Sequence, residues 1–81
     1  MTTLLEIRPG SKMKTYLRKI RFAKGELSQQ EVADLVRVSR QTIVSIERGG
    51  YSPSVKLALL LARRLNTSVE QLFVLEETDY G

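Results

Sequence analysis

The sequence predicts an all-α domain built from five short helices, and three observations carry that expectation. Ser11, Ser28, Ser39 and Ser68 each stand at the head of an apolar-periodic segment, where a side-chain oxygen can accept from the free N–H groups of a first helical turn. Inside those segments the apolar residues recur at helical spacing. The connections are only a few residues long and carry glycine at positions 25, 49 and 50, where a left-handed residue can end a helix.

Ser11 caps a first helix from about Lys12 to Lys24, with Leu17 and Ile20, and with them Met13 and Ala23, turned inward and Gly25 as its stop. The box Ser28-Gln29-Gln30-Glu31 opens a second helix that ends near Val36 and buries Val32, Ala33 and Val36. Ser39 caps a third helix running to Arg48, with Ile43 and Ile46 inward and Gly49-Gly50 as terminator. A fourth helix, about Ser54 to Leu65, follows Tyr51-Ser52-Pro53, and its stripe Val55, Ala58, Leu59, Ala62, Leu65 has the i, i+3, i+4, i+7 spacing of a buried face. The Ser68-x-x-Gln71 box starts a short fifth helix ending around Phe73. Thr2 to Arg8 and Phe73 to Thr78 lack caps and carry β-branched or alternating apolar residues, which suits either short terminal strands paired with each other or frayed ends.

The organisation expected from this pattern is an N-terminal extension over residues 1–11, a helical domain over 12–75 and an acidic tail over 76–81. At 81 residues, one core supplies only about 3 to 5 kcal/mol, so either the packing is economical or a second copy contributes. The chain has neither Cys nor His, which removes disulfides, thiolate or imidazole metal ligands and imidazole bases. Met1 to Arg8 does not read as an export signal, and the apolar run Leu57 to Ala62 is far short of the roughly 18 residues of a membrane span, so a cytoplasmic, membrane-free protein is expected. Charge is uneven: residues 1–48 hold ten Lys/Arg against five acids, net +5, and residues 49–81 hold three against four, net −1. A basic half facing a polyanion fits this asymmetry, as does a plain solvated surface.

The second and third helices, joined through Arg37-Val38-Ser39, form the arrangement of a helix-turn-helix. The stretches Leu27 to Asp34, Val38 to Ile43 and Ile46 to Gly49 resemble the Cro and phage-repressor type, the Xre family of small transcriptional regulators. The resemblance continues through Tyr51-Ser52-Pro53-Ser54 and Leu72-Phe73 and covers about Met13 to Glu77. It implies a five-helix lambda-repressor-like fold and binding to the major groove of double-stranded DNA. The residues themselves suit that role. A recognition helix must offer long planar donor-acceptor side chains from its first turn, and Arg40 and Gln41 can bridge guanine and adenine edges respectively. Ser45 follows one turn after Gln41, and Thr42 offers a methyl to thymine or a hydroxyl to phosphate. Ser39 belongs to the same surface as the cap, and Arg48 at the helix end is placed either for phosphate or simply to complement the helix dipole. Gln29 sits at a helix N-terminus that favours phosphate. The resemblance further implies that Gln29 steadies Arg40, and that Arg21 and Glu47 form a partly buried ion pair between the first and third helices. Nothing calls for a cofactor, a metal or a small-molecule ligand.

Three positions depart from the family pattern. Arg37 replaces the usual turn glycine, which demands either a left-handed arginine or a rebuilt turn. Glu26 lengthens the loop before the second helix, and Gly50 stands where a lysine or arginine is common.

Beyond its buried stripe the fourth helix carries Leu57, Leu60 and Leu61, although the resemblance implies that Leu61 turns into the core. These three, with Phe73 and Leu75, are the expected homodimer surface. The functional expectation is a sequence-specific DNA-binding regulator, more specifically a repressor acting as a dimer on a near-palindromic operator. The competing reading is a protein-interaction or antitoxin-like module on the same fold, favoured by the acidic tail Glu70, Glu76, Glu77 and Asp79. An enzyme finds little support, because the serines serve as caps with no base beside them.

Overall fold

The structure, a computed structural model, describes residues 13–49 and 51–75. Ser11, Gly50, the Thr2 to Arg8 segment and the 76–81 tail lie outside the described residues. Within them the elements run β1 (Lys14–Thr15), α1 (Leu17–Ala23), α2 (Gln29–Val36), α3 (Arg40–Arg48), α4 (Val55–Arg64), α5 (Val69–Leu72) and β2 (Phe73–Val74). All five expected helices are present.

The first helix starts at Leu17 rather than Lys12, because the residues before it are taken by a strand. Lys14 and Thr15 pair antiparallel with Val74 and Phe73, and the Tyr16 N–H extends the pairing to the Leu72 carbonyl at 2.8 Å. The strand pairing thus falls at 14–15 and 73–74. The Thr15 hydroxyl then accepts from the Leu17 N–H at 3.2 Å, serving the start of α1. Ala23, expected inward, is exposed at the end of this shortened helix.

Helix α2 has the full reciprocal box: the Ser28 hydroxyl accepts from the Glu31 N–H, and the Glu31 carboxylate accepts from the Ser28 N–H. Its far end is closed by Arg37, which is left-handed at φ 61° and ψ 46°. Arg37 and Val38 N–H groups bond back to Asp34 and Ala33, the two bonds of a Schellman turn, so the turn keeps its geometry without the glycine. Ser39 and Ser54 cap α3 and α4 through the Thr42 and Leu57 N–H groups. Ser68 caps α5 through the Gln71 N–H, but the Gln71 side chain accepts from the Thr67 hydroxyl and does not complete the box.

The core gathers Leu17, Val32, Ala33, Val36, Ile43 and Ile46 with Leu57, Ala58, Leu61, Ala62, Leu65, Leu72 and Phe73. Here α4 differs from expectation. Leu57 is 8% exposed and Leu61 fully buried, whereas Val55 is 77% and Leu59 57% exposed. Leu60 is half-buried against the core, and Phe73 is buried as well. Leu57, Leu61, Leu65 and Phe73 therefore belong to the interior, and of the five expected interface residues only Leu75 is exposed. The cause is rotational. A helix apolar on most of its circumference satisfies two stripes about equally, and packing against α2 and α5 selects the one bearing three leucines spaced by four.

A charged pair is buried beside this core. Arg21 on α1 meets Glu47 on α3 through Nε to Oε2 at 2.8 Å and Nη2 to Oε1 at 3.0 Å, while its Nη1 donates to the Leu27 carbonyl at 2.8 Å. The guanidinium also lies over the Phe22 ring, 4.9 Å from its centroid. Removing one partner leaves a buried charge unpaired, so Arg21→Ala should cost about 3 to 5 kcal/mol, enough to unfold a domain of this size. The pair replacement Arg21→Met with Glu47→Leu should recover most of that loss in urea melts followed by circular dichroism. At the turn, Arg37→Gly removes the Cβ penalty of a left-handed residue and should raise the melting temperature by several degrees, worth up to about 1 kcal/mol. Arg37→Val should lower it.

Candidate nucleic-acid interface

The geometry of α3 follows from two buried apolar side chains and one cap. Ile43 and Ile46 sink into the core, which turns the polar part of the nine-residue helix outward. Ser39 sets where the helix begins: its hydroxyl accepts from the Thr42 N–H at 3.3 Å and lies 3.1 Å from the Thr42 hydroxyl. Arg40 and Gln41 follow as the first two residues of α3 and are exposed. Ser39 and Thr42 thus share a hydrogen bond across the first turn, while Thr42 and Ser45 are half-buried. Arg48 ends the helix exposed, beside Gly49 in a left-handed conformation at φ 84°.

Gln29 is the first residue of α2 and is held against α3. Its Nε2 donates to Glu47 Oε1 at 3.1 Å, the same oxygen that accepts from Arg21 Nη2. In the structure the Gln29 amide bonds to Glu47, while the steadying of Arg40 by Gln29 that the family resemblance implies remains a proposal. The Glu47 carboxylate therefore ties α1, α2 and α3 at one point, and Gln29 occupies a shallow groove shared with Arg18, Phe22 and Ser28.

Gln29, Ser39, Arg40, Gln41, Thr42, Ser45 and Arg48 all lie on the helix-turn-helix, whose α3 also carries Glu47, whereas Arg21 reaches Glu47 from α1. Two further residues adjoin this surface and were missed in the sequence. Val44 stands one turn after Arg40 and is half-buried, so its spacing was the available signal. Arg18 stacks over Phe22 at 5.7 Å, and neither residue matches a motif that would have drawn attention to it. Among the described residues, no helix is long and apolar enough to cross a membrane.

A helix-turn-helix family model matches residues 17–72, from the first residue of α1 to the last of α5. An HTH-type transcriptional regulator of Archaeoglobus fulgidus is 42% identical over 67 residues, 83% of this chain and 93% of that protein. Among solved structures, the restriction-modification controller protein C.AhdI from Aeromonas hydrophila superposes with a TM-score of 0.64 at 38% identity, covering 70% of this chain and 85% of that one. The clp gene regulator ClgR from Corynebacterium glutamicum gives a TM-score of 0.61 at 34% identity over 65% of this chain, which spans only 55% of ClgR. With the capped second and third helices, the outward first turn of α3 and a match spanning all five helices, the chain belongs to the Xre (Cro/C1-type) family of helix-turn-helix transcriptional regulators, DNA-binding proteins without enzymatic activity.

Proposed function

We propose that the protein is a cytoplasmic repressor that binds a near-palindromic operator as a homodimer and blocks transcription by occupancy. The observation that carries this reading is the first turn of α3, where Arg40 and Gln41 project from a capped helix whose opposite face is fixed in the core. In this reading Arg40 bridges O6 and N7 of a guanine, and Gln41 bridges N6 and N7 of an adenine. Val44 and Thr42 offer methyl groups to thymine, and Ser45 reaches the groove edge. Gln29 and Arg48 hold phosphates at the two ends of the contact, which position the domain but carry no sequence information. Two copies place their recognition helices about one turn of DNA apart, roughly 34 Å.

Selection of bound sequences from a random pool tests the reading. A recovered site should bind about 1,000-fold or more tighter than random DNA, with steep salt dependence on both. An unenriched pool would instead favour a protein-interaction module. Given an operator, Arg40→Ala should relax preference at one base pair by about 1 to 3 kcal/mol. Arg48→Ala should weaken all sequences alike and reduce the salt slope by about one. Measuring both variants on matched and mismatched duplexes at several salt concentrations separates the two roles.

A further inference from the structure

Helix α1 divides its cations between two flanks. Lys19 and Lys24 line a groove shared with α5, and the Lys24 ammonium donates to the Asn66 carbonyl at 3.3 Å. Arg18 lies on the other flank, where it walls a groove of about 330 Å³ with Arg21, Phe22, Ser28, Gln29 and Glu47. This second groove runs from α1 to the first residue of α2, on the helix-turn-helix side. Its charges do not balance. Arg21 and Glu47 neutralise each other in their buried pair, which leaves one positive charge, on the exposed Arg18. Among the described residues Arg18 is in no ion pair. Its guanidinium lies 5.7 Å from the centroid of the Phe22 ring, and that of Arg21 lies 4.9 Å from the same ring. Phe22 is 48% exposed and stands outside the core, so burial does not account for the ring.

We infer that Arg18 binds a backbone phosphodiester of the DNA and that Phe22 is its positioning residue, so that α1 adds a phosphate contact to those of the helix-turn-helix. The inference rests on the DNA-binding reading above and extends it to a helix outside the motif.

The chemistry of the groove fits this ligand. A phosphodiester carries one negative charge on two unesterified oxygens, and it meets here one uncompensated guanidinium flanked by neutral donors. Gln29 Nε2 spends one N–H on Glu47 and has a second; the Ser28 hydroxyl accepts from the Glu31 N–H and keeps its own proton to donate. The Ser28 N–H is already taken by the Glu31 carboxylate, so side chains and not that backbone group face the ligand. Phe22 supplies order. A long exposed side chain samples many rotamers, and freezing them on binding costs affinity. Four residues apart on a helix, Arg18 and Phe22 share one face, and the ring holds the flat face of the guanidinium while leaving the N–H donors at its edge free for oxygen.

Fluorescence anisotropy with a random-sequence duplex and with the selected operator tests both parts. Arg18→Ala should weaken binding to the two duplexes alike, by about 10-fold at low salt, and reduce the salt slope by about one. Lys19→Ala removes the same charge one residue away on the other flank and should leave the slope unchanged. Phe22→Leu should weaken binding about 3-fold with the slope retained, and should have no effect in the Arg18→Ala background, whereas a merely structural ring would cost as much in either background. Arg18→Lys gives a second route to the same point: it keeps the charge and the slope but lacks the planar fork, so it should lose affinity as Phe22→Leu does. Replacing single operator phosphates by uncharged methylphosphonate identifies the ligand, because one position should weaken the wild type and leave Arg18→Ala unaffected. Equal slopes for Arg18→Ala and the wild type overturn the inference. So does a slope loss matched by Lys19→Ala, which would mean that net charge alone is acting. A Phe22→Leu effect that persists without Arg18 overturns the positioning role. If Arg40→Ala relaxes base preference while the Arg18 variants bind as the wild type does, the role of α1 fails and the operator reading stands; a wild type that binds neither duplex overturns both.

Discussion

The carboxylate of Glu47 is the point at which the helix-turn-helix is tied to the first helix. It accepts two hydrogen bonds from the Arg21 guanidinium and one from the Gln29 amide, and Arg21 in turn donates to the carbonyl of Leu27 just before the Ser28 cap. Three helices and one loop are thereby held at a single buried point. Packing alone would not do this. Ile43 and Ile46 decide which face of α3 is inside, but two isoleucines on a nine-residue helix leave its rotation and axial position loosely defined. A bidentate guanidinium–carboxylate pair is directional, and with its lone pairs occupied it fixes both. Such a pair contributes little net stability over apolar residues of similar volume, so its value here lies in geometry.

The positional constraint explains why Gln29 is drawn to Glu47. The amide bond to the carboxylate orients the first residue of α2, and it leaves Arg40 without a partner from Gln29 on the protein side. In the proposed reading Arg40, free of a bond to Gln29, retains its donors for a base edge, while the scaffold beneath it stays rigid. Loss of rigidity in the scaffold and loss of donors at the tip are therefore different failures, one affecting folding and the other base preference.

How much of this was legible in the sequence depends on the range of the interaction involved. Caps at Ser28 and Ser39 are set by residues three positions apart, and both appear where the sequence places them. The pairing of Lys14–Thr15 with Phe73–Val74 was not legible because it joins positions as distant as Lys14 and Val74, and two-residue strands carry no periodicity of their own. On α4 the sequence was ambiguous for a different reason. Val55, Leu57, Leu59 and Leu61 are all apolar, and only the neighbours supplied by α2 and α5 distinguish Leu57 and Leu61 from Val55 and Leu59. The exposure of Arg40 and Gln41 was legible because exposure at a helix start is a local property. The Gln29 to Glu47 bond was not, because it depends on how α2 crosses α3.

The turn at Arg37 draws on a small store of stability. Glu26, Arg37 and Asn66 are non-glycine residues with positive φ, and a left-handed Glu or Arg is disfavoured by about 1 kcal/mol or more relative to glycine. Against a core able to supply only about 3 to 5 kcal/mol, two such residues are a substantial fraction of what a single copy has. The Schellman bonds at Arg37 offset part of the penalty without removing it. Anything that binds the folded chain and not the unfolded one adds stability by mass action. A second copy of the chain would act in this way in the proposed dimer, and so would an operator. In the proposed dimeric repressor, folding, association and DNA binding would be linked equilibria: a strained turn that a larger domain would tolerate unnoticed would make the folded population of this one sensitive to its own concentration and to the presence of its site.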